Sequence, residues 1–192
     1  APAYPSLGMP LEALQDLDGV LLVGANVRKD QPLIGHRVRK AAMGGGKVGV
    51  INAVDYEFRF PVAAKLITGP AGMERALAGI VKALLEGSGS LSPAMTQLLA
   101  DVQPDATQRA MAELLHRGER SAVLLGNQAE AHPAAATLRA LAAMIAELSE
   151  SKLGFVTAGA NAAGAWMTGA LPHRGPGGRP AERQGHNARA ML

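Results

Sequence analysis

Two turns in the sequence contain the residue types that hold phosphate groups in nucleotide-binding proteins. The first is Gly24-Ala25-Asn26, which follows an apolar run and is followed by a helical pattern that starts at Pro32. Such a bend lies where open α/β sheets place their ligands, and the amides of the next helix attract an anion. The turn lacks the G-x-G-x-x-G pattern, because Asn26 and Lys29 stand at its later glycine positions. It is therefore either a phosphate-binding loop or a bend kept for its shape.

The second turn repeats this arrangement about a hundred residues later. Gly126 and Asn127 follow another apolar run, and Pro133 precedes another helical pattern. Two such units predict two halves of one doubly wound sheet, with both bends at the same edge. The candidate cofactor-binding residues are those of the two bends: Gly24, Asn26, Gly126 and Asn127.

Other residues near the first turn have simpler interpretations beside the functional one. Arg28 and Lys29 could pair with a phosphate or could be solvated loop charges. The triplet Gly44-Gly45-Gly46 follows a helical pattern instead of preceding one, so we interpret it as a helix stop.

The sequence offers no catalytic or metal-binding constellation. The five histidines are dispersed without metal-ligand spacing, there is no cysteine, and no serine lies in a G-x-S-x-G elbow. Acidic residues do not cluster as an acid/base pair. We therefore predict no catalytic residue, no metal ligand and no cofactor in this chain.

Composition limits the class of protein. Of the 192 residues 48% are hydrophobic and only 3% are aromatic, which predicts one core of small aliphatic side chains. The basic residues lack interleaved aromatics, so nucleic-acid binding is not expected. No apolar stretch approaches the roughly 20 residues of a membrane span, and no signal peptide is evident. A cytoplasmic chain without direct membrane insertion is expected.

The elements that would position the two turns alternate between strand and helix. Gly19 to Val23 is predicted as a strand covered on both faces of a parallel sheet. The remaining predicted strands are Lys47 to Ile51, Phe60 to Ile67, Ala122 to Leu125 and Gly154 to Thr157. The predicted helices are Gln31 to Met43, Met73 to Leu85, Thr107 to His116 and Ala134 to Leu148, with a short one at LEALQDL and another after a flexible joint at residues 87–90.

Three segments are predicted along the chain. Residues 1–16 form an N-terminal entry segment, residues 17–171 a Rossmann-like domain, and residues 172–192 an extended tail rich in Gly, Pro and Arg. The small residues of AGANAAGAWMTG, from 158 to 169, permit close backbone approach to a cofactor, another helix or another subunit. Trp166 within it could anchor an interface or fill a core.

Longer motifs carry a family resemblance. VLLVGANVRKDQPLIGHRVRKA, LLGNQAEAHP and above all GANAAGAWMTGALPHRGPGG resemble the G subunit of bacterial respiratory complex I, the NADH–quinone oxidoreductase, over about residues 17 to 192. That subunit is similar in its C-terminal part to molybdopterin oxidoreductases such as formate dehydrogenase, in which strand-G-x-N-P-x-x-x-x-P turns hold the pterin dinucleotide. Here Val27 stands in place of the first proline of that motif.

The resemblance implies a three-layer αβα fold of the formate dehydrogenase/DMSO reductase type. It further implies a structural domain in the peripheral arm that contacts other complex I subunits. The electron-carrying iron–sulfur clusters would lie in an N-terminal part of the parent subunit. The bends would be vestigial, with four residues packing the last crossover and three docking on neighbouring protein: Gly159, Ala160, Asn161 and Trp166, then His173, Arg174 and Gly175.

Two other functions remain open from the sequence. The bends could still bind a nucleotide or a molybdopterin dinucleotide. A stand-alone NAD-dependent enzyme would need an acidic residue about twenty positions after the glycine turn. Asp55 is the nearest candidate, but it lies about thirty residues after Gly24, which disfavours this function.

Overall fold

A five-stranded parallel sheet forms the centre of the chain. The computed structural model describes residues 4–88, 99–116, 120–157, 159 and 161–192. The sheet has the order β3-β2-β1-β4-β5, and each neighbouring pair is parallel. The strands are Gly19–Val23 (β1), Lys47–Asn52 (β2), Ala64–Ile67 (β3), Ser121–Leu125 (β4) and Lys152–Phe155 (β5). The predicted three-layer α/β fold with a Rossmann-like parallel sheet is confirmed.

Helices cover both faces of the sheet. A short 3-10 helix, Leu11–Asp16, precedes β1. The α-helices in the described residues are Pro32–Met43 (α1), Pro70–Ser88 (α2), Ala106–His116 (α3), Asn127–Glu130 (α4), Ala135–Leu148 (α5), Ala162–Met167 (α6) and Ala188–Met191 (α7).

Alternate residues of each inner strand enter two separate apolar cores. In β1, Leu21 and Val23 join the core under α2, α3 and α5, whereas Val20 and Leu22 join the core under α1 and the 3-10 helix. Every residue of β1 and β4 is buried. A strand covered on both faces must be apolar at every position, which is why VLLV and AVLL could be recognised in the sequence.

The edge strands differ from their predicted bounds. The third strand begins at Ala64 and not at Phe60, because Phe60 stacks on Phe58 with ring centroids 5.2 Å apart and packs against the core under α1. The fifth strand is Lys152–Phe155, earlier than predicted, because it pairs with β4 from Ala122↔Lys152 to Leu125↔Phe155. Edge strands lack a continuous apolar run, so their register depends on the neighbouring strand.

Two turns predicted between elements are helical. The GPAG turn is the start of α2, with Pro70 in its first helical position, where a proline is favoured. Residues 87 and 88 of the predicted joint continue α2, and the rest of the joint and most of the short helix after it lie outside the described residues. The turn after Gly126 contains the single helical turn α4.

Local polar contacts hold the ends of elements. At the start of α3, the Gln108 amide donates to the Asp105 carboxylate at 2.8 Å and the Asp105 amide donates to the Gln108 side chain at 2.9 Å, a reciprocal cap. Before β1, Asp18 forms an ion pair with Arg120, which precedes β4. The hydrogen bond from the Arg120 side chain lowers the pKa of the Asp18 carboxyl below its ordinary value.

The chain divides into two compact units. One comprises Leu7–Val156 and contains the sheet and both cores. The other comprises Thr157–Leu192 with residues 4–6. Along the described residues, no helix combines the length and the apolar character needed to span a bilayer.

Candidate functional site

The two glycine bends lie side by side at the carboxyl ends of β1 and β4. Strands β1 and β4 are neighbours, with Val23 paired to Leu125, so the bends that follow them start at the same level. The Gly126 amide donates to the Val23 carbonyl at 2.8 Å. A Cβ atom on Gly126 would lie 2.5 Å from the Cα of Ala25, far inside van der Waals contact. The bends therefore pack directly on each other.

Glycine is also required at position 24, where the first bend packs against the start of α4. Its φ of +61° lies in the left-handed region that favours glycine. A Cβ at this position would lie 2.5 Å from the backbone nitrogen of Ala129, and the Gly24 carbonyl accepts the Gln128 amide at 2.9 Å. Helix α4 thus begins in contact with the first bend, and both glycines are explained by that contact.

Asn52, a residue that the sequence analysis did not single out, occupies the edge of the sheet beside the first bend. Its side chain is fully buried. The Ala25 amide donates to Asn52 Oδ1 at 2.8 Å, and Asn52 Nδ2 donates to the Ala25 carbonyl at 3.2 Å. These two bonds satisfy the polar groups of the bend that would otherwise face a ligand or water. The available signal in the sequence was a polar residue at the end of an apolar strand.

Gln128 covers the end of β1. Its Oε1 accepts the Ala53 amide at 3.4 Å, and its Nε2 donates to the Tyr56 hydroxyl at 2.5 Å. Ala53 and Tyr56 follow β2, whereas Gln128 follows β4, and β1 lies between those strands. The side chain of Gln128 therefore crosses the point at which the strand order reverses, where open α/β sheets bind ligands.

The two asparagines of the bends act mainly through their backbones. The Asn26 carbonyl accepts the amides of Lys29 and Asp30 at 2.9 and 2.8 Å, and the Asn127 carbonyl accepts the Ala131 amide at 2.9 Å. Both side chains are half-buried and form no hydrogen bond within the described residues. The structure thus brings all four predicted site residues to one edge. It leaves two amide side chains there with spare hydrogen-bonding capacity.

At the carboxyl ends of β1, β2 and β4 the bends and the polar side chains beside them pack on each other. Ala25 already contacts Gly126, and Asn52 and Gln128 occupy the ends of β2 and β1. Pockets exist elsewhere on the unit: at the amino ends of the strands near Asp18 and Lys47, in the loop from Asp55 to Lys65, and beside α1. None of these three is lined by the bend residues Gly24, Asn26, Gly126 or Asn127.

Arg28, which follows the first bend, pairs with a residue of the loop after β2. Arg28 Nη1 donates to both the carbonyl and the carboxylate of Glu57, each at 3.1 Å. Asp55, the nearest acidic candidate for binding a ribose, lies beyond the end of β2 and forms an ion pair with Lys65 at 2.7 Å. Within the described residues, no group of three His, Cys, Asp or Glu side chains could hold a metal ion.

Three of the residues predicted to pack or dock in the C-terminal unit contact each other. The Arg174 guanidinium lies 4.9 Å from the centroid of the Trp166 ring, and the His173 ring meets the same ring edge-on at 5.3 Å. Arg174 Nη1 also donates to the Gly178 carbonyl at 3.2 Å. Ala160, predicted to pack the last crossover, lies outside the described residues.

Comparison with known proteins gives a family and a fold. The family model described as molybdopterin oxidoreductase matches residues 3–175. No curated protein matches the sequence. Among solved structures, a chain of the formyltransferase/hydrolase complex from Methylorubrum extorquens, determined in complex with methylofuran, is similar with a TM-score of 0.50 at 17% sequence identity.

That structural similarity covers 92% of this chain and 48% of the other, so this chain spans about half the length of its structural neighbour. At such low identity the similarity concerns the fold alone.

Proposed function

Because the chain belongs to the molybdopterin oxidoreductase family, whose model matches residues 3–175, we propose that it is a scaffold domain of that family with a closed, vestigial cofactor edge. The domain performs no chemistry of its own and instead presents surfaces to neighbouring subunits. Gly24, Asn26, Gly126 and Asn127 keep the bends in shape.

One observation supports this proposal: polar side chains of the chain itself hydrogen-bond around the bends, at the carboxyl ends of the strands where open α/β sheets bind ligands. Asn52 makes two hydrogen bonds to Ala25, and Gln128 bridges from α4 to the loop after β2. A ligand that displaced Asn52 would leave the buried Ala25 amide without an acceptor. Leaving a buried donor unsatisfied costs about 1–3 kcal/mol. The replacement of the motif proline by Val27, which is fully buried, agrees with a bend that serves packing.

The parent assembly that we propose is respiratory complex I. The motif GANAAGAWMTGALPHRGPGG supports its G subunit, and the absence of cysteine in this chain agrees with iron–sulfur clusters carried by another part of that subunit. The chain would then be cytoplasmic, attached to the inner membrane through the complex. Its partners would be other subunits of the peripheral arm, and the parent complex would pass electrons from NADH to quinone.

A ligand titration separates the scaffold from a retained binding domain. The purified chain is heated with GTP, NADH or a guanine dinucleotide at about 1 mM, and we expect an unchanged unfolding temperature. A site with a Kd of about 10 µM would stabilise the fold by about 2.7 kcal/mol under these conditions, which corresponds to several degrees. A rise of that size that disappears in the variant Asn127→Ala would contradict the scaffold proposal and support the alternative, a retained nucleotide or pterin-dinucleotide site.

Membership of complex I is tested on the native assembly. Membranes of the source organism are solubilised and separated on a native gel, and the band with NADH-dehydrogenase activity is identified by mass spectrometry. We expect peptides of this chain in that band together with other peripheral-arm subunits. Recovery of the peptides only with a molybdate-dependent oxidoreductase activity would contradict the complex I assignment.

A further inference from the structure

All of the net positive charge of the chain lies in its C-terminal unit. The formal net charge is +3. After residue 156 the sequence contains one acidic residue, Glu182, and four arginines, Arg174, Arg179, Arg183 and Arg189. Over residues 1–156 the acidic and basic residues are equal in number. The basic character of the protein is therefore a property of one segment.

Backbone hydrogen bonds close the first part of this segment into a tight loop. Arg174 pairs with Pro180 in an antiparallel bridge, and the Gly175 amide donates to the Arg179 carbonyl at 2.8 Å. The backbones of Arg174 and Arg179 therefore lie side by side at the base of the loop, although four residues separate them in the sequence.

The chain then returns to the start of the loop. The Gly185 amide donates to the Pro172 carbonyl at 2.8 Å, which brings the stretch that contains Arg183 back to the residues before Arg174. We call residues 172–185 the basic loop. Arg179 and Arg183 are exposed, and their side chains have no hydrogen-bond or ion-pair partner within the described residues. The loop thus presents unpaired guanidinium groups to its surroundings.

Trp166 forms an aromatic centre beside the basic loop. The Arg174 guanidinium lies over its ring, and the His173 ring meets it edge-on. Tryptophan and arginine are the residue types most enriched among those that dominate the binding energy of protein interfaces. The side chains around Trp166 therefore have the composition of an interface centre with a charged rim.

The C-terminal unit has almost no apolar core of its own. Among its described residues only Gly178 is buried, and helix α6 contains no buried residue. Neither of the two apolar cores includes a residue after Val156. A segment of fewer than about 40 residues seldom buries enough surface to be stable alone, so its surfaces suit contact with other protein.

Two other polyanions fit this unit less well than a protein does. Binding of nucleic acid uses several aromatic rings on which bases stack, whereas Trp166 is the one aromatic residue after 156 and Arg174 already lies over its ring. Helices α6 and α7 span six and four residues, so they offer no extended apolar face to a bilayer.

We infer that the basic loop docks on an acidic surface of a neighbouring protein subunit, with Arg179 and Arg183 pairing with carboxylates of that subunit. Guanidinium groups donate pairs of parallel hydrogen bonds that match the two oxygens of a carboxylate. This inference rests on the proposed scaffold function and adds the chemistry of the surface on which the scaffold docks.

The test is zero-length crosslinking in the native assembly. Cells of the source organism carry Arg179→Lys or Arg183→Lys, which keep the positive charge and supply an amine. A carbodiimide then joins that amine to any carboxylate in direct contact, and mass spectrometry identifies the linked peptides. We expect links from position 179 or 183 to Asp or Glu of another polypeptide. Arg75→Lys, at an exposed position on α2, is the control and should give far fewer such links.

A second measurement removes the charges. The double variant Arg179→Gln with Arg183→Gln should leave the assembly at a salt concentration at which the parent chain is retained, because the ion pairs that salt would screen are already lost. The matched control is Arg39→Gln with Arg75→Gln, which changes the net charge equally at exposed positions on α1 and α2. This control should be retained as the parent chain is.

Three outcomes would overturn the inference. A chain that remains in the assembly without links from positions 179 and 183 to another polypeptide would overturn it and leave the scaffold function standing. Release of the chain by nuclease treatment would identify a nucleic acid as the partner instead. A chain recovered with no other polypeptide would contradict both this inference and the scaffold function.

Discussion

At the scale of single residues, glycine is required at position 126 because a side chain would collide with Ala25, and not because of the backbone conformation. Its φ of −100° and ψ of −173° suit any residue, yet a side chain there would overlap Ala25. Gly24 differs, because its φ of +61° adds backbone strain to the overlap with Ala129. The two glycines therefore serve one contact through different physical requirements.

The variant Gly126→Ala tests the close packing of Gly126 on Ala25. We expect it to lower the free energy of unfolding by about 1–3 kcal/mol, the usual cost of forcing a methyl group into a packed site. Urea denaturation measures the change. Gly69→Ala is the control, since nothing lies within 4 Å of a Cβ at that position, and it should change stability by less than about 0.5 kcal/mol. Equal stability of both variants would contradict the direct packing of the bends.

Asn52 and Asn127 give a second comparison at this scale. Asn52→Ala leaves the buried Ala25 amide without an acceptor, so we expect a loss of about 1–3 kcal/mol in the free energy of unfolding. Asn127→Ala removes a half-buried side chain that has no hydrogen bond within the described residues, and should change stability by less than about 0.5 kcal/mol. Equal losses in urea denaturation would show that Asn52 has no special role at this edge.

At the scale of elements, the order of the strands determines what each loop can reach. Residues of the loop after β2 approach Gln128 because β1 lies between β2 and β4 and pairs with both. At the amino ends of the strands, the ion pair between Asp18 and Arg120 joins the segments that precede β1 and β4. The inner strands could be recognised from their apolar runs, whereas β3 and β5, which have one neighbour each, were placed less accurately.

The ion pair before β1 predicts a pH dependence. The pKa of Asp18 is lowered in the folded chain by its hydrogen bond with Arg120, so the carboxylate stabilises the fold above its ordinary pKa of 3.8. This contribution is lost as the pH falls below that value and through the lowered pKa of the folded chain. Asp18→Asn should therefore show a smaller fall in the urea midpoint between about pH 5 and pH 3 than the parent chain.

The control for this measurement is Asp101→Asn, at an exposed position with no hydrogen bond or ion pair within the described residues. It should follow the pH profile of the parent chain. A profile for Asp18→Asn that coincides with that of the parent would mean that the ion pair does not stabilise the folded state.

At the scale of the whole molecule, both apolar cores lie within Leu7–Val156. We expect a chain shortened to residues 7–156 to unfold in one cooperative transition, because the sheet and the helices on both its faces are retained. Circular dichroism during urea denaturation would measure this. A broad, non-cooperative transition would mean that the sheet depends on residues outside this range.

The fold class, the inner strands, the main helices and the adjacent position of the two glycine bends could be predicted from the sequence alone. These follow from local patterns: apolar runs where both faces are covered, helical periodicity, and glycine followed by a helix start. The hydrogen bonds of Asn52 and Gln128 around the bends could be seen only in the three-dimensional structure. Asn52 and Ala25 are 27 residues apart, and Gln128 and Ala53 are 75 apart. Contacts at such separations depend on which strands become neighbours, and no local pattern encodes them.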